Sequence, residues 1–141
     1  MSFILPQILV GNALGEYKVD KQGRVLYFYM SGTMDAETAK NYYLAVKQFL
    51  PEFKSTWASL VDLNDWGLHI PEVKEQMAGF HKWIEKHGHE VEVCVIGKSK
   101  LKRMAREELL ESSNSLLNVV YVETLDEGWQ WLEEHGYLAD A

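Results

Sequence analysis

Asp62 and Asp65 stand three residues apart at the end of the apolar run Trp57-Ala-Ser-Leu-Val-Asp-Leu63. That is the end of a strand at which α/β sheets hold their ligands. A carboxylate pair there can bind a cation or act as acid and base. No nucleophile or third ligand stands beside the pair, so the favoured reading is structural: Asp62 satisfies backbone donors and Asp65 starts a turn. The residues that follow, Trp66, Leu68, His69 and Ile70, are apolar or amphipathic in a stretch that reads as a loop. They form either the lip of a pocket or partner surface, or a local core folded onto the helix ends, and the sequence balances the two.

Three histidines cluster further on, His81, His87 and His89, with Glu90 beside them. A metal site needs three or four converging ligands, and a histidine at a helix C-terminus is favoured by the helix dipole alone, so no metal is expected. The single cysteine, Cys94, sits between Val93 and Val95 in mid-strand and reads as an inert core thiol. There is no glycine-rich dinucleotide fingerprint and no phosphate-binding loop motif, and no cofactor is implied.

Lys98, Lys100, Lys102, Arg103 and Arg106 place five of the chain's 14 basic residues within nine positions. They open a helix, the end at which positive charge is unfavourable. By count this is a solvated face with Arg103 paired to Glu107. The sharper reading is a site for an anion or an acidic partner, centred on Lys98, Lys100 and Arg103.

The elements that must position these groups follow from periodicity. Glu16–Asp20 alternates, Lys21–Arg24 is a turn signal and Val25–Met30 is apolar on both faces, which predicts a hairpin ended by Gly32. Asp35 caps a helix carrying Ala39, Tyr42, Tyr43, Val46, Phe49 and Leu50, stopped by Pro51. After the Trp57–Leu63 strand and its loop, Pro71 opens a second helix with Val73, Met77, Phe80, Ile84 and His87 inward, closed by Gly88. Val91–Ile96 is a third strand of the parallel set. A helix from about Ser99 to Ser112 follows, with Leu101, Met104, Ala105 and Leu109 inward. Asn118–Glu123 is the last strand, and Thr124 and Glu127 are spaced as a capping box for a final helix with Leu125, Trp129 and Leu132 inward. The order ββαβαβαβα predicts an α/β fold: a mostly parallel, five-stranded mixed sheet with four main helices and right-handed crossovers.

A chain of 141 residues without repeats or linkers reads as one domain, 1–141, preceded by an apolar N-terminal arm over 1–15. The arm covers an edge or face of the sheet or, on the sharper reading, makes a homodimer contact. The net charge of -7 argues against bulk binding to nucleic acid or anionic membrane. No segment is long and apolar enough to span a bilayer, and one cysteine fits a reducing compartment, so the chain is expected in the cytoplasm.

With this layout the chain resembles the SpoIIAA-like superfamily, which includes the STAS domains. The stretches that carry the resemblance are Val25-Leu-Tyr-Phe-Tyr-Met-Ser-Gly, Leu60-Val-Asp-Leu-Asn-Asp-Trp, Val93-Cys-Val-Ile-Gly-Lys and Thr124-Leu-Asp-Glu-Gly-Trp-Gln-Trp-Leu, within residues 16–136. They look closest to small bacterial STAS-like proteins of unassigned function. Regulatory STAS domains carry a phosphorylatable serine after the strand that matches Trp57–Leu63; Asn64–Val73 contains no Ser or Thr, which puts a kinase-switched role in doubt. The resemblance implies a non-enzymatic interaction or regulatory module that meets a protein partner through the loop ends of the sheet, with Asp65, Trp66, Leu68, His69, Lys98, Lys100 and Arg103 as its surface. The alternative is a carrier for a small apolar or anionic-headed ligand, in the manner of the CRAL-TRIO domains that share the general fold.

Overall fold

The computed structural model describes residues 8–11, 15–69, 73–112 and 117–139. Strands β1 (Ile8–Gly11), β2 (Gly15–Gln22) and β3 (Val25–Met34) lead into helix α1 (Ala36–Phe49) and a short 3₁₀ turn (Leu50–Glu52). Then come β4 (Trp57–His69), α2 (Lys74–Glu85), β5 (His89–Val95), α3 (Lys100–Ser112), β6 (Asn118–Val122) and α4 (Leu125–Glu134). The five expected strands and four helices are all present. A sixth strand, β1, joins them: part of the N-terminal arm pairs antiparallel with β2 and covers that edge. The sheet runs in sequence order, antiparallel from β1 to β3 and parallel from β3 to β6. No helix among the described residues is long and apolar enough to cross a membrane.

Local chemistry explains most boundaries. Gly23, at φ 60°, leads the two-residue turn between β2 and β3, the place a primed hairpin turn gives to glycine. A Cβ there would stand 2.6 Å from the carbonyl oxygen of Leu138, so the closing segment also depends on this glycine. Asp35 accepts the backbone N–H of Thr38 at 2.8 Å, and Thr124 accepts that of Glu127 at 3.1 Å, as the caps predicted. One face of the sheet packs on α1, α2 and α3 around Phe28, Tyr42, Val61, Phe80 and Cys94. The other packs on α4 around Tyr27, Leu60, Val93, Trp129 and Leu132. At Gly128, α4 comes so near the sheet that a Cβ would meet Leu60 at 2.7 Å.

Three features depart from the sequence reading. β3 and β4 run past Gly32 and Leu63, because they go on pairing with each other after β4 parts from β5 at Asp62–Val95. An extra residue in β4 lies between the pairs Tyr29–Asp62 and Ser31–Asp65. Strict alternation from Val61 and Leu63 would send Asp65 into the core and Trp66 out; the bulge exchanges them. Second, α3 turns Arg106 and Leu109 inward and leaves Leu101 and Met104 62% and 65% exposed, where the sequence predicted both inside. Arg106 fixes that rotation by pairing with Glu92 in the core.

Third, the chain does hold a short repeat. Trp83-Ile-Glu-Lys-His-Gly88 closes α2 and Trp131-Leu-Glu-Glu-His-Gly136 closes α4. In each copy the histidine Nδ1 lies 2.7 Å from the tryptophan carbonyl, the two rings stack, and the glycine is left-handed. His87 is thus an exposed cap rather than part of the inner stripe of α2.

Candidate functional site

The basic cluster divides according to which side of α3 each residue takes. β5 ends at Val95 and the chain turns through Gly97, at φ 60°, into α3, whose first turn is capped by Ser99 Oγ accepting the backbone N–H of Lys102 at 3.1 Å. Around that turn lies an open cleft of about 250 Å³ between the ends of β5 and β6, with Lys98, Lys100 and Arg103 on one side and Tyr121 and Glu123 on the other. Arg103 stacks its guanidinium 4.4 Å from the Tyr121 ring centre and pairs with Glu107 at 3.0 Å, the pairing the spacing predicted. Lys98 and Lys100 are exposed.

The other two cations leave the cluster. Lys102 donates its ammonium to the carbonyl oxygens of Leu63 at 2.8 Å and Asn64 at 2.5 Å, tying α3 to the far end of β4. Arg106 is buried and reaches Glu92 at 2.8 and 2.5 Å and His81 at 3.1 Å. The clustering in sequence therefore overstates the positive charge that solvent meets.

Lys102 brings the second predicted stretch next to the first. Asp65, exposed, accepts a 2.5 Å hydrogen bond from Tyr29 Oη. Leu68 is half-buried against the core, and its φ of 72° marks the turn of the strand's end. His69 pairs in register with Met34, and Ile70 lies outside the described residues. Trp66 is corrected: it is 4% exposed and belongs to the core, for the bulge aims it inward. Asp62 is nearly buried and accepts the Asn64 backbone N–H at 3.2 Å, the structural role expected of it. Burial raises its pKa above the usual carboxylate range.

Sequence reasoning missed two groups here. Leu101 and Met104 stand one helical turn apart on α3, beside Lys100 and Arg103, and with Leu44 they are the exposed large hydrophobics of the described residues. Their spacing looked like an inner stripe, and only the ion pair of Arg106 shows which stripe wins. The second group is the interior set of Arg106, Glu92, His81, His89 and Ser59, in which His89 Nε2 lies 2.8 Å from Ser59 Oγ. Burial, with Arg106 close by, holds His81 well below the usual histidine pKa, and burial brings His89 down to about 4. Burial also drives the Cys94 thiol pKa up, as an inert core cysteine requires. Among the described residues no group of three or more His, Cys, Asp or Glu side chains could hold a metal.

No known sequence family matches the chain, and no curated protein is similar to it in sequence. Its fold does have solved counterparts. One is an uncharacterised protein of the DUF3478 family with a SpoIIAA-like fold from Shewanella loihica PV-4, with a TM-score of 0.65 and 15% identity over 87% of this chain and 98% of that one. Another is an anti-sigma factor antagonist from Mycobacterium paratuberculosis, with a TM-score of 0.53 and 16% identity over 83% of this chain and 92% of that one. The chain has a SpoIIAA-like fold, as the sequence resemblance implied.

Proposed function

We propose that this chain is a non-enzymatic regulatory interaction module of the cytoplasm, and that it binds a protein partner through the first two turns of α3. The observation that carries this reading is the pair Leu101 and Met104, both more than half exposed, flanked by Lys100 and Arg103 on a chain of net charge -7. Apolar side chains of that size in one exposed turn mark a contact surface. Basic residues around an apolar centre choose an acidic partner and steer its approach. Lys98 extends the rim, and Asp65 follows Asn64, whose carbonyl oxygen Lys102 holds. A solved neighbour with this fold is an anti-sigma factor antagonist, a protein whose name states a protein target, and that supports the class of function.

A carrier that encloses its ligand between the sheet and α1–α2 finds less support. A drug-sized ligand occupies a pocket of about 300 Å³ or more, whereas the enclosed space between the sheet and α1–α2, lined by Leu26, Tyr43, Met77 and His81, is about 30 Å³. The test is purification from the native cell of the chain and of a Leu101→Asp, Met104→Asp double variant, with mass spectrometry of what accompanies each. The expected result is a protein that accompanies the first and not the second. No protein difference between the two preparations would overturn the proposal.

A further inference from the structure

At the opposite end of the sheet from the start of α3, where the strands begin, a second concavity is built from different chemistry. It is an open groove of about 510 Å³ lined by Lys47, Leu50, Pro51, Phe53, Trp83 and His87. One wall is the exit of α1 and its 3₁₀ turn; the other is the last turn of α2. Phe53 and Trp83 are only half-buried, so ring surface faces the groove. Each ring stacks on a neighbour: Phe53 lies 5.1 Å from the Trp57 ring at 9°, and Trp83 lies 4.1 Å from His87 at 28°.

Charge adds a second constraint. The Lys47 ammonium stands 4.8 Å from the Trp83 ring centre and that of Lys21 stands 5.3 Å from the Phe53 ring centre. None of the six lining residues is acidic. His87 bonds the Trp83 carbonyl through Nδ1, which leaves Nε2 as the nitrogen for a ligand. A volume of this size fits a small molecule. Ring edges beside these stacked pairs suit an aromatic ligand, and a lysine at each ring suits a negative one.

We propose that this groove binds a small aromatic anion, packed against the groove-facing edges of Trp83 and Phe53 with its charged group at Lys47. The site is independent of the α3 face, and either reading can fail without the other. It lies away from the strand ends that α/β sheets usually use, which is why the sequence did not point to it.

The probe is 8-anilinonaphthalene-1-sulfonate, titrated against the intact chain and followed by its fluorescence, with neutral N-phenyl-1-naphthylamine as the uncharged comparison. The expected result is saturable binding of about one equivalent, weakened about tenfold in Trp83→Leu, the loss expected for an edge-to-face aromatic contact. Lys47→Gln should weaken the sulfonate severalfold and leave the neutral probe unchanged. Should Trp83→Leu fail to fold, Lys47→Gln is decisive alone, because Lys47 is exposed. Equal binding of both probes, or a Lys47→Gln variant that binds the sulfonate like the parent, overturns the proposal. So does binding that appears only after residues 1–7 are deleted or only on dilution, since the chain itself then fills the groove.

Discussion

Arg106 of α3 and Glu92 of β5 form a two-bond ion pair inside the core, with Nε on Oε2 at 2.8 Å and Nη2 on Oε1 at 2.5 Å. The guanidinium also meets His81 of α2 at 3.1 Å, so one side chain joins α3 to the sheet and to α2. A donor at Nε2 requires neutral His81 with its proton on Nδ1. Glu92 holds Arg106 firmly in its charged form despite burial. The pair sets the rotation of α3, and that rotation exposes Leu101 and Met104.

Removing one partner leaves the other as an unpaired buried charge. Glu92→Gln or Arg106→Met should each lower stability by about 3–5 kcal/mol in urea unfolding. The double variant Glu92→Met, Arg106→Met should lose much less than the sum of its singles. Strictly additive losses would mean the ion pair has no coupled role.

The buried histidines give the chain a pH dependence. His81 and His89 have folded pKa values below the ordinary 6.5, with His89 down to about 4. Between those values the unfolded chain takes up protons that the folded chain refuses, so stability falls as pH drops from about 6.5 towards 4. Each such histidine contributes a slope of up to about 1.4 kcal/mol per pH unit in that window. Urea midpoints at several pH values measure it, and His89→Gln should flatten the slope. An unchanged slope in that variant would show that His89 is not held neutral.

Trp66 and the α3 pair offer opposite expectations for residues that the sequence placed the other way round. Trp66→Ala should lose about 3–5 kcal/mol as a core aromatic. Leu101→Ser and Met104→Ser should stay within about 0.5 kcal/mol, as exposed positions do. Reversed magnitudes would show that the bulge in β4 and the rotation of α3 are misassigned.

The strands at the centre of the sheet should be its most protected part. Leu60–Asp62 and Val93–Val95 are buried and have a paired strand on each side. Amide hydrogen exchange there should be among the slowest in the chain, and much faster than in β1 at the edge. Equal exchange in β1 and β5 would contradict the strand order.

These cases show what the sequence could and could not say. Element order was legible because apolar runs and caps are local: Asp35, Thr124 and the run Val91–Val95 each act within a few residues. The cleft at the start of α3 was legible as a candidate place, through Lys98, Lys100 and Arg103, but not in its make-up. Arg106 looked like one more surface cation, because nothing within α3 announces a partner 14 residues upstream on another element. Trp66 read as a loop residue, at a pocket lip or in a local core, because nothing in the sequence shows β4 running on past Leu63 through an inserted residue. The Trp83–His87 stack is readable only beside its second copy, Trp131–His135.

The most direct measurement for the α3 face is site-specific photocrosslinking in the native cell, with a benzophenone side chain introduced at Met104 and, separately, at the exposed Glu133 of α4. If α3 meets a protein partner, a discrete adduct forms from position 104, is absent from position 133, and is lost when Lys100→Glu and Arg103→Glu are added. Adducts of equal yield at both positions, or an adduct at 104 that survives both charge reversals, would contradict it.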